Sequence, residues 1–409
     1  MEQQPVLIHN QKGLLGDINI YKRIVDSKEY ISYKENTGYY HSDICISNPL
    51  VGQAPLSMTV LALLFPVKKV LILGAGLFAN SIQMSLLLNN NVQITAVDLE
   101  ECLYDLGKSF LHIDEYKNIH FLAMDAKQFI LQNTDKFDYI IVDLFQDASI
   151  PVDYLTDEFY AKIYQSLNED GILVINSNMP ELKFISKDNE RTNPVTVLQS
   201  TLFHNGFETI YGNDTFNLGI IYAFKGKLNR SFKELLLNGY MDYSLNIHVR
   251  VALAAIYLSA YKYDNNCSVG VFHESDKAHY NKIFKSFVIK SIMEYDKKQH
   301  KKIENVYDEF SELTYEYFIK EIQKGKGGYD INDINYYNKV MNIIKENQSL
   351  IEPNKMMRYI KFGPQLDSLL LEDLQEISFG MYFLAINRVR KNKAKEAEKY
   401  FDLIFKNSK

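Results

Sequence analysis

Cysteine is scarce in this chain of 409 residues, which contains only three. They lie far apart along the sequence and are odd in number, which argues against a disulfide framework and favours a reducing compartment. Long uninterrupted hydrophobic runs are lacking as well, because Pro66, Lys68 and Lys69 break the most apolar window, LSMTVLALLFPVKKVLILGAGLF. That window is too short and too polar for a membrane-spanning helix.

An overall excess of positive charge is also absent, since the net charge is −6. Proteins that coat nucleic acid carry an excess of positive charge, so no nucleic-acid partner is expected. The first residues, MEQQPVLIHNQKG, lack the basic start and the apolar run of a signal peptide. We therefore predict a soluble, cytoplasmic protein that binds neither nucleic acid nor a membrane.

Three regions of the chain differ in pattern, and they define the predicted domains. Residues 1–65 contain short runs in which Tyr, Ile and Val alternate with polar residues around Asn-Thr-Gly, which is typical of a β-hairpin or small sheet. Residues 66–227 alternate short apolar runs with amphipathic segments. Residues 228–409 show helical periodicity without a convincing repeat, and they predict an all-α domain.

The central region predicts an open α/β sheet. Its first five apolar runs are short and almost entirely hydrophobic, as strands buried on both faces must be, and two final strands follow with a short connection. Together they predict a seven-stranded, doubly wound, Rossmann-like sheet of the methyltransferase type with an antiparallel edge. The predicted strands are Val70–Leu73, Gln93–Val97, Ile119–Ala123, Tyr139–Val142, Ile172–Asn176, Glu208–Tyr211 and Gly219–Phe224.

A glycine turn follows the first of these strands, in the stretch KKVLILGAGLFANSIQMSLLL. Gly74, Ala75 and Gly76 would let the backbone approach a ligand closely, and the helix from about Asn80 would offer free N–H groups to its polar part. Open α/β sheets bind ligands at this edge, outside the carboxyl ends of the strands. A Gly-x-Gly turn is also common as simple punctuation, and that alternative stays open.

Acidic residues follow the next two strands. Asp98, with Leu99 behind it, comes roughly twenty residues after the turn, which is the spacing at which a carboxylate accepts hydrogen bonds from ribose hydroxyls. Asp125 and Ala126 follow the third strand, where a carboxylate and a backbone N–H can bind an adenine ring. Capping of the following helix is the alternative role for both aspartates.

Asp143 ends the fourth strand, at the centre of the predicted crevice. An isolated buried charge is costly, so a carboxylate at this position is hard to explain as part of the core. We therefore predict that Asp143 is catalytic or contacts the substrate, and that it also borders the cofactor. The loop that follows supplies Asp147 and Tyr154 as further substrate contacts.

The motifs VLILGAG, AVDLEE, MDAKQFI and FDYIIVDLFQDASIPVDYLTDEFYAKIYQSLNEDGILVIN resemble the spermidine synthase-like, aminopropyltransferase-related branch of the class I S-adenosylmethionine-dependent methyltransferase fold. The resemblance covers about residues 21–225 and leaves the helical tail outside. It implies that the glycine turn faces the methionine part of the cofactor, Asp98 the ribose, and Asp125 with Ala126 the adenine. It further implies that Asp143 takes a proton from an attacking amine.

The glycine turn and the amine-binding positions depart from that family. The family's Gly-Gly-Gly-Asp-Gly-Gly turn reads GAGLFA here, with Leu77 at the position of the aspartate that seats the aminopropyl end. Asp147 stands one position late for the family's Asp-Ser-Ser/Thr-Asp segment. The Tyr-His-Glu segment reads GQAPLSM, which leaves Gln53 as its polar residue for cofactor contact.

We therefore predict a transferase that uses S-adenosylmethionine or its decarboxylated form and needs no metal. Methyl transfer to a small-molecule or peptide acceptor is the first expectation, because the altered residues are those specific to aminopropyl and amine recognition. Aminopropyl transfer is the alternative. An inactive interaction protein is the second alternative, which Leu77 and Phe78 in the turn favour. The resemblance also implies a homodimer, formed through the N-terminal sheet.

Overall fold

The protein is described here from a computed structural model. The structure describes residues 4–35, 41–145, 150–177, 194–213, 219–263, 271–277, 385–386, 388–389 and 391–406. It divides into two units, residues 1–242 with 262–288 and residues 243–261 with 289–409. Within the described ranges no helix is both long enough and apolar enough to cross a membrane.

A small antiparallel sheet forms the N-terminal part of the first unit. Its strands are β1 (Val6–Lys12), β2 (Asp17–Val25), β3 (Lys28–Lys34) and β4 (Ser42–Cys45), paired in that order. Asp26 and Ser27 both have positive φ, which suits the two-residue turn between β2 and β3. The predicted Asn-Thr-Gly turn lies outside the described residues. The small N-terminal β region is confirmed.

The central sheet has the predicted α/β architecture. Its strands run in the order β10-β11-β9-β8-β5-β6-β7, parallel from β9 to β7 and antiparallel at β10 and β11. A two-residue strand, β12 (Tyr261–Lys262), adds an eighth member beside β10. The strands are β5 (Lys69–Leu73), β6 (Gln93–Asp98), β7 (Ile119–Ala123), β8 (Phe137–Val142), β9 (Leu167–Asn176), β10 (Thr209–Asn213) and β11 (Ile220–Phe224). The predicted seven-stranded doubly wound sheet is confirmed.

In the first unit, helices connect the strands and cover the sheet. The core between them is apolar, and Leu71, Ile140 and Phe159 in it have no exposed surface. Burial on both faces of the sheet explains why its strands read as continuous hydrophobic runs. The helices are α1 (Gln53–Thr59), α2 (Ala79–Leu87), α3 (Leu103–Leu111), α4 (Ala126–Gln132), α5 (Asp157–Ser166), α6 (Pro194–His204), α7 (Phe232–Met241), α8 (Ile247–Ser259) and α9 (Ala394–Lys406).

Helices α8 and α9 represent the second unit. They pack through Tyr257 and Phe405, whose rings meet edge to face with centroids 5.3 Å apart. Arg250, almost fully buried, donates a hydrogen bond to Glu398 at 2.5 Å. Most of the predicted helical tail lies outside the described residues, and the predicted domain boundaries at residues 65 and 227 stay predictions.

The register of the parallel strands positions the site. Leu73 at the end of β5 lies opposite Val97 of β6 and Val142 of β8. The residues next in sequence after Leu73, Val97 and Val142 therefore lie side by side at one edge of the sheet. Those residues are Gly74, Asp98 and Asp143.

Candidate functional site

A cavity of about 440 Å³ lies at the carboxyl ends of β5 to β8. The structure brings nine of the predicted site residues to its wall, and the volume is within the range of small-molecule sites. These residues are Gly74, Ala75, Gly76, Asp98, Leu99, Asp125, Ala126, Asp143 and Tyr154. Asp147 lies outside the described residues. Gln53 begins α1, and its side chain is outside the described part of the chain.

The glycine turn is fixed by its own hydrogen bonds. The N–H groups of Gly74 and Ala75 donate to the carbonyl oxygen of Val97, at 2.9 and 3.2 Å. Gly74 has a φ of 93°, and a Cβ added there would lie 2.7 Å from the carbonyl carbon of Asp143. Gly74 is therefore required by the close approach of the turn to the end of β8. These N–H groups serve the protein rather than a ligand.

Phe78 leaves the cavity open, although it replaces a glycine of the family's turn. Its φ of 59° places it in the left-handed region at the N-terminus of α2, and its side chain has no exposed surface. The ring packs edge to face against Phe121 and Tyr104, with centroids 5.5 and 6.4 Å away. Gly107 of α3 makes room for it, since a Cβ there would lie 2.8 Å from the ring. Neither Leu77 nor Phe78 is among the described residues that line the cavity.

Asp98 accepts hydrogen bonds from both sides. One carboxylate oxygen accepts from the N–H of Gly76 at 2.9 Å, and the other accepts from the N–H of Glu100 at 3.2 Å. Burial raises the pKa of Asp98 to about 6, although these hydrogen bonds oppose the change. Helix α3 begins only at Leu103, with Cys102 at its N-cap. The alternative that Asp98 caps this helix is therefore wrong.

Asp125 does cap a helix. Its Oδ1 accepts from the N–H of Gln128 at 2.8 Å, which is the N-cap bond of α4, and its Oδ2 accepts from the hydroxyl of Tyr154 at 2.8 Å. The capping alternative is confirmed for this residue. Burial and the bond to Asp125 raise the pKa of Tyr154, so the hydroxyl stays protonated at neutral pH. Contact of Asp125 with adenine stays a prediction.

Asp143 is held between two amides that the sequence analysis did not include in the site. Asn80 donates its Nδ2 to one carboxylate oxygen at 2.8 Å, and Asn176 donates its Nδ2 to the other at 2.9 Å. Burial raises the pKa of Asp143 to about 6, the amides lower it, and the negative charge of Asp98 adds to the increase. Asp143 is thus a carboxylate at neutral pH that takes up a proton readily.

Negative charge dominates the wall of the cavity. Among the described lining residues, Lys127 is the one Lys or Arg. A cavity with this imbalance attracts cationic ligands and concentrates them. The lining carboxylates are those of Glu35, Asp43, Asp98, Glu100, Asp125, Asp143 and Asp153.

The N-terminal sheet supplies part of this wall. Tyr33, Glu35 and Asp43 of the sheet and its following segments line the cavity. Glu100, which is 4% exposed, joins the two sheets, because it accepts a hydrogen bond from the N–H of Leu15 at 2.9 Å. The N-terminal sheet is therefore part of the site and not only an appendage.

The segment 271–277 contributes to a cluster of ion pairs at another rim of the cavity. Glu274 accepts a hydrogen bond from Thr156 at 3.0 Å and pairs with Lys127 and Lys277. Lys277 also pairs with Asp153. Burial opposes ionisation of Glu274, but the hydrogen bonds from Lys127, Lys277 and Thr156 lower its pKa to about 2. We call Lys127, Asp153, Glu274 and Lys277 the rim latch.

Replacing Glu274 with glutamine is expected to lower the free energy of unfolding by about 1 kcal/mol, since the rim latch is partly exposed and screened. Urea unfolding measures the effect. The control is Asp276→Asn, which alters a carboxylate that bonds within its own turn. Equal effects of the two variants would contradict a role for the latch.

Comparisons with known proteins agree with this architecture. Residues 55–201 match the family model described as Spermine/spermidine synthase domain. A probable polyamine aminopropyl transferase from Bifidobacterium longum is 30% identical over 143 residues, which are 35% of this chain and 28% of that protein. A polyamine aminopropyltransferase from Lachnospira eligens is 28% identical over 183 residues, which are 42% of this chain and 62% of that protein. The chain thus spans less than two thirds of the length of these curated relatives.

One solved structure supports the fold over a longer stretch. The crystal structure of a probable spermidine synthase from Corynebacterium glutamicum superposes with a TM-score of 0.50 at 15% identity. The match covers 66% of this chain and 97% of that one. The resemblance that the motifs indicated is confirmed. The described sheets and their helices have the class I methyltransferase fold, and residues 55–201 are similar to the spermidine synthase domain.

Proposed function

We propose that the protein is an aminopropyltransferase that uses decarboxylated S-adenosylmethionine and a small amine as acceptor. The observation that carries the proposal is Asp143, an ionised carboxylate between two neutral amides in a cavity lined by acidic residues. The names of the curated relatives favour this reaction, which was our alternative, over the methyl transfer that we expected first.

The residues present fit a sulfonium nucleoside. Asp98 and Asp125 would hold its ribose and adenine, and Gly76 adjoins the same space without a side chain. When bound, the donor supplies a carbon activated for displacement by an amine, with a neutral thioether as leaving group. The carboxylates of the wall stabilise its positive charge.

Asp143 would serve as the proton acceptor. An attacking amine is nucleophilic only when its nitrogen is unprotonated, and a carboxylate within hydrogen-bond reach removes the proton as the new bond forms. Most of the remaining catalysis is positioning of two reactants, which needs no triad. Glu35 and Asp43 of the N-terminal sheet would attract the cationic acceptor into the cavity.

Methyl transfer from S-adenosylmethionine is a second candidate. Leu77, fully buried, occupies the position at which the resembled family has a carboxylate for the aminopropyl end. An apolar residue there cannot bind the amino group of the aminopropyl end, so one interaction that would favour the decarboxylated donor is lost. The acceptor of this reaction would occupy the same wall near Asp143.

Mass spectrometry of reactions with either donor and a panel of short aliphatic diamines distinguishes these proposals. Methylthioadenosine, together with an acceptor that has gained an aminopropyl group, is the expected result. S-adenosylhomocysteine and a methylated acceptor would support the second candidate instead. Binding of both donors without product from either would overturn transfer to amines.

Replacing Asp98 with alanine is expected to weaken nucleoside binding roughly 50-fold, because a charged acceptor for ribose hydroxyls is lost. Calorimetric titration with methylthioadenosine measures this without any reaction. Asp105→Ala, which removes an exposed aspartate of α3, is the control, and thermal melting checks the fold of both. If Asp98→Ala bound the nucleoside as tightly as the control, the ribose role would be wrong.

A further inference from the structure

Asn80 is a buried polar residue with few hydrogen-bond partners. It lies in the first turn of α2 and is 5% exposed, although it also borders the cavity. Its Nδ2 donates to Asp143 at 2.8 Å. Its Oδ1 is buried and has no hydrogen-bond partner within the part of the chain that the structure describes.

The orientation of the Asn80 amide follows from Asp143. An ionised carboxylate accepts hydrogen bonds and donates none, so the NH₂ group must face it and the carbonyl oxygen must face away. Leaving that oxygen unpaired in a buried place is unfavourable. An apolar residue of similar size would avoid the cost. The contact with Asp143 is therefore the reason for an amide at this position.

We propose that Asn80 is a positioning residue for Asp143, which keeps its carboxylate ionised and oriented toward the acceptor amine. The inference rests on the proposed function and adds a residue to it. The amide bridges two elements, because Asn80 lies in the first turn of α2 whereas Asp143 follows β8. The neutral amide stabilises the charged form of Asp143. Unlike a cationic side chain, it does not compete with the acceptor amine for the carboxylate.

Other ionisable groups line the same cavity as Asp143. The negative charge of Asp98 opposes ionisation of Asp143. Asn176 supports the second carboxylate oxygen from β9. The remaining ionisable groups at the wall are Tyr33, Glu35, His41, Asp43, Glu100, Asp125, Lys127, Asp153 and Tyr154. Because most of these are acids, removal of a donor from Asp143 is not compensated by nearby positive charge.

The test compares Asn80→Leu with the wild type in steady-state kinetics across pH, in nucleoside affinity and in an NMR titration. Leucine has a similar shape and no donor, so the acid limb of the kcat/KM profile should move to higher pH by about one pH unit, since a hydrogen bond to a charged form lowers its pKa. At pH 6.5 or below, kcat should fall severalfold while the affinity for methylthioadenosine changes little. Carboxyl ¹³C NMR, with Asp143→Asn for assignment, should show the same upward shift in the titration of Asp143 itself.

The NMR titration separates this inference from the proposed function. If no aminopropyl transfer is found but Asn80→Leu still shifts the titration, the function fails and the positioning role stands. Asn80→Asp provides a second variant, in which a nearby like charge should raise the pKa of Asp143 even further. The control is Asn168→Leu, which removes an amide that donates to Asp138 on the surface. Titration of Asp143 unchanged in both Asn80 variants would overturn the inference.

Discussion

Asp143→Asn is expected to lower kcat by about 10²- to 10⁴-fold, which is the range attributed to general acid–base groups. The variant keeps the size of the side chain but cannot take up the proton of the attacking amine. The affinity for methylthioadenosine should change far less, since the nucleoside has other contacts at Asp98 and Asp125. Steady-state kinetics and calorimetric titration together measure this difference.

The control for this prediction lies on the same strand. Asp138, near the opposite end of β8, accepts from the backbone N–H groups of Lys68 and Lys69 and does not line the cavity. Asp138→Asn should keep the wild-type kcat. A similar loss in both variants would mean that a change in stability, rather than lost proton transfer, explains the Asp143 result.

The pH dependence gives the same prediction a second form. The pKa of Asp143 is about 6 in the folded protein, so activity should fall as the pH drops below about 6 and the carboxylate becomes protonated. Because the folded pKa is raised above its usual 3.8, this group contributes stability below about pH 4 that is lost as pH rises through 6. The difference in Tm between Asp143→Asn and the wild type should therefore favour the variant more at pH 7 than at pH 4.

The sheet and the place of the site could be predicted because they follow from local patterns. Strands buried on both faces must be apolar along their whole length, so runs such as Tyr139–Val142 stand out in the sequence. Parallel strands share one carboxyl edge, so the residues after them meet whatever their separation. Gly74, Asp98, Asp125 and Asp143 were placed together on this basis alone.

The amides around Asp143 could not be found in the same way. Asn80 and Asn176 lie 63 and 33 residues from Asp143, one in the first turn of α2 and the other at the end of β9, and no local pattern links them to it. Only the tertiary structure reveals that they point at one carboxylate. A useful signal would have been the apolar context of Asn80, since a polar residue on a buried helix face needs a partner.

The rim latch and the position of Phe78 were hidden for a related reason. Lys127 and Glu274 are 147 residues apart, and no local pattern links them. Phe78 raised the prospect of a filled cofactor site, yet the space for its ring is provided by Gly107 in another helix. Both outcomes depend on tertiary contacts that periodicity does not encode.

Gly74→Ala is expected to have the largest effect on stability. Its Cβ would overlap the backbone carbonyl of Asp143, and a φ of 93° is unfavourable for any residue with a side chain. Neither obstacle can be relieved by a rotamer change, because the clash is with backbone. We expect a loss of at least about 3 kcal/mol in the free energy of unfolding, measured by urea denaturation.

Gly76→Ala is the matched control in the same turn. Gly76 also has a positive φ, 49°, but an added Cβ would meet only Ser42, at 3.5 Å. That φ lies in the left-handed region that other residues adopt at a cost of about 1 kcal/mol. Both variants thus place a side chain at positive φ, at a higher conformational cost for Gly74, and only Gly74→Ala adds a clash with backbone. Equal losses of stability would show that the approach to Asp143 is not the constraint on Gly74.

Gly74→Ala should also lower the activity of the molecules that remain folded. The N–H of Asp143 donates to the carbonyl of Leu73 at 2.8 Å, and the N–H of Gly74 donates to Val97, so the turn joins β5, β6 and β8 at the site. Forcing Gly74 away from Asp143 must move the carboxylate relative to Asn80 and Asn176. Saturating decarboxylated S-adenosylmethionine, the proposed donor, should therefore restore folding of Gly74→Ala by mass action but leave its kcat low.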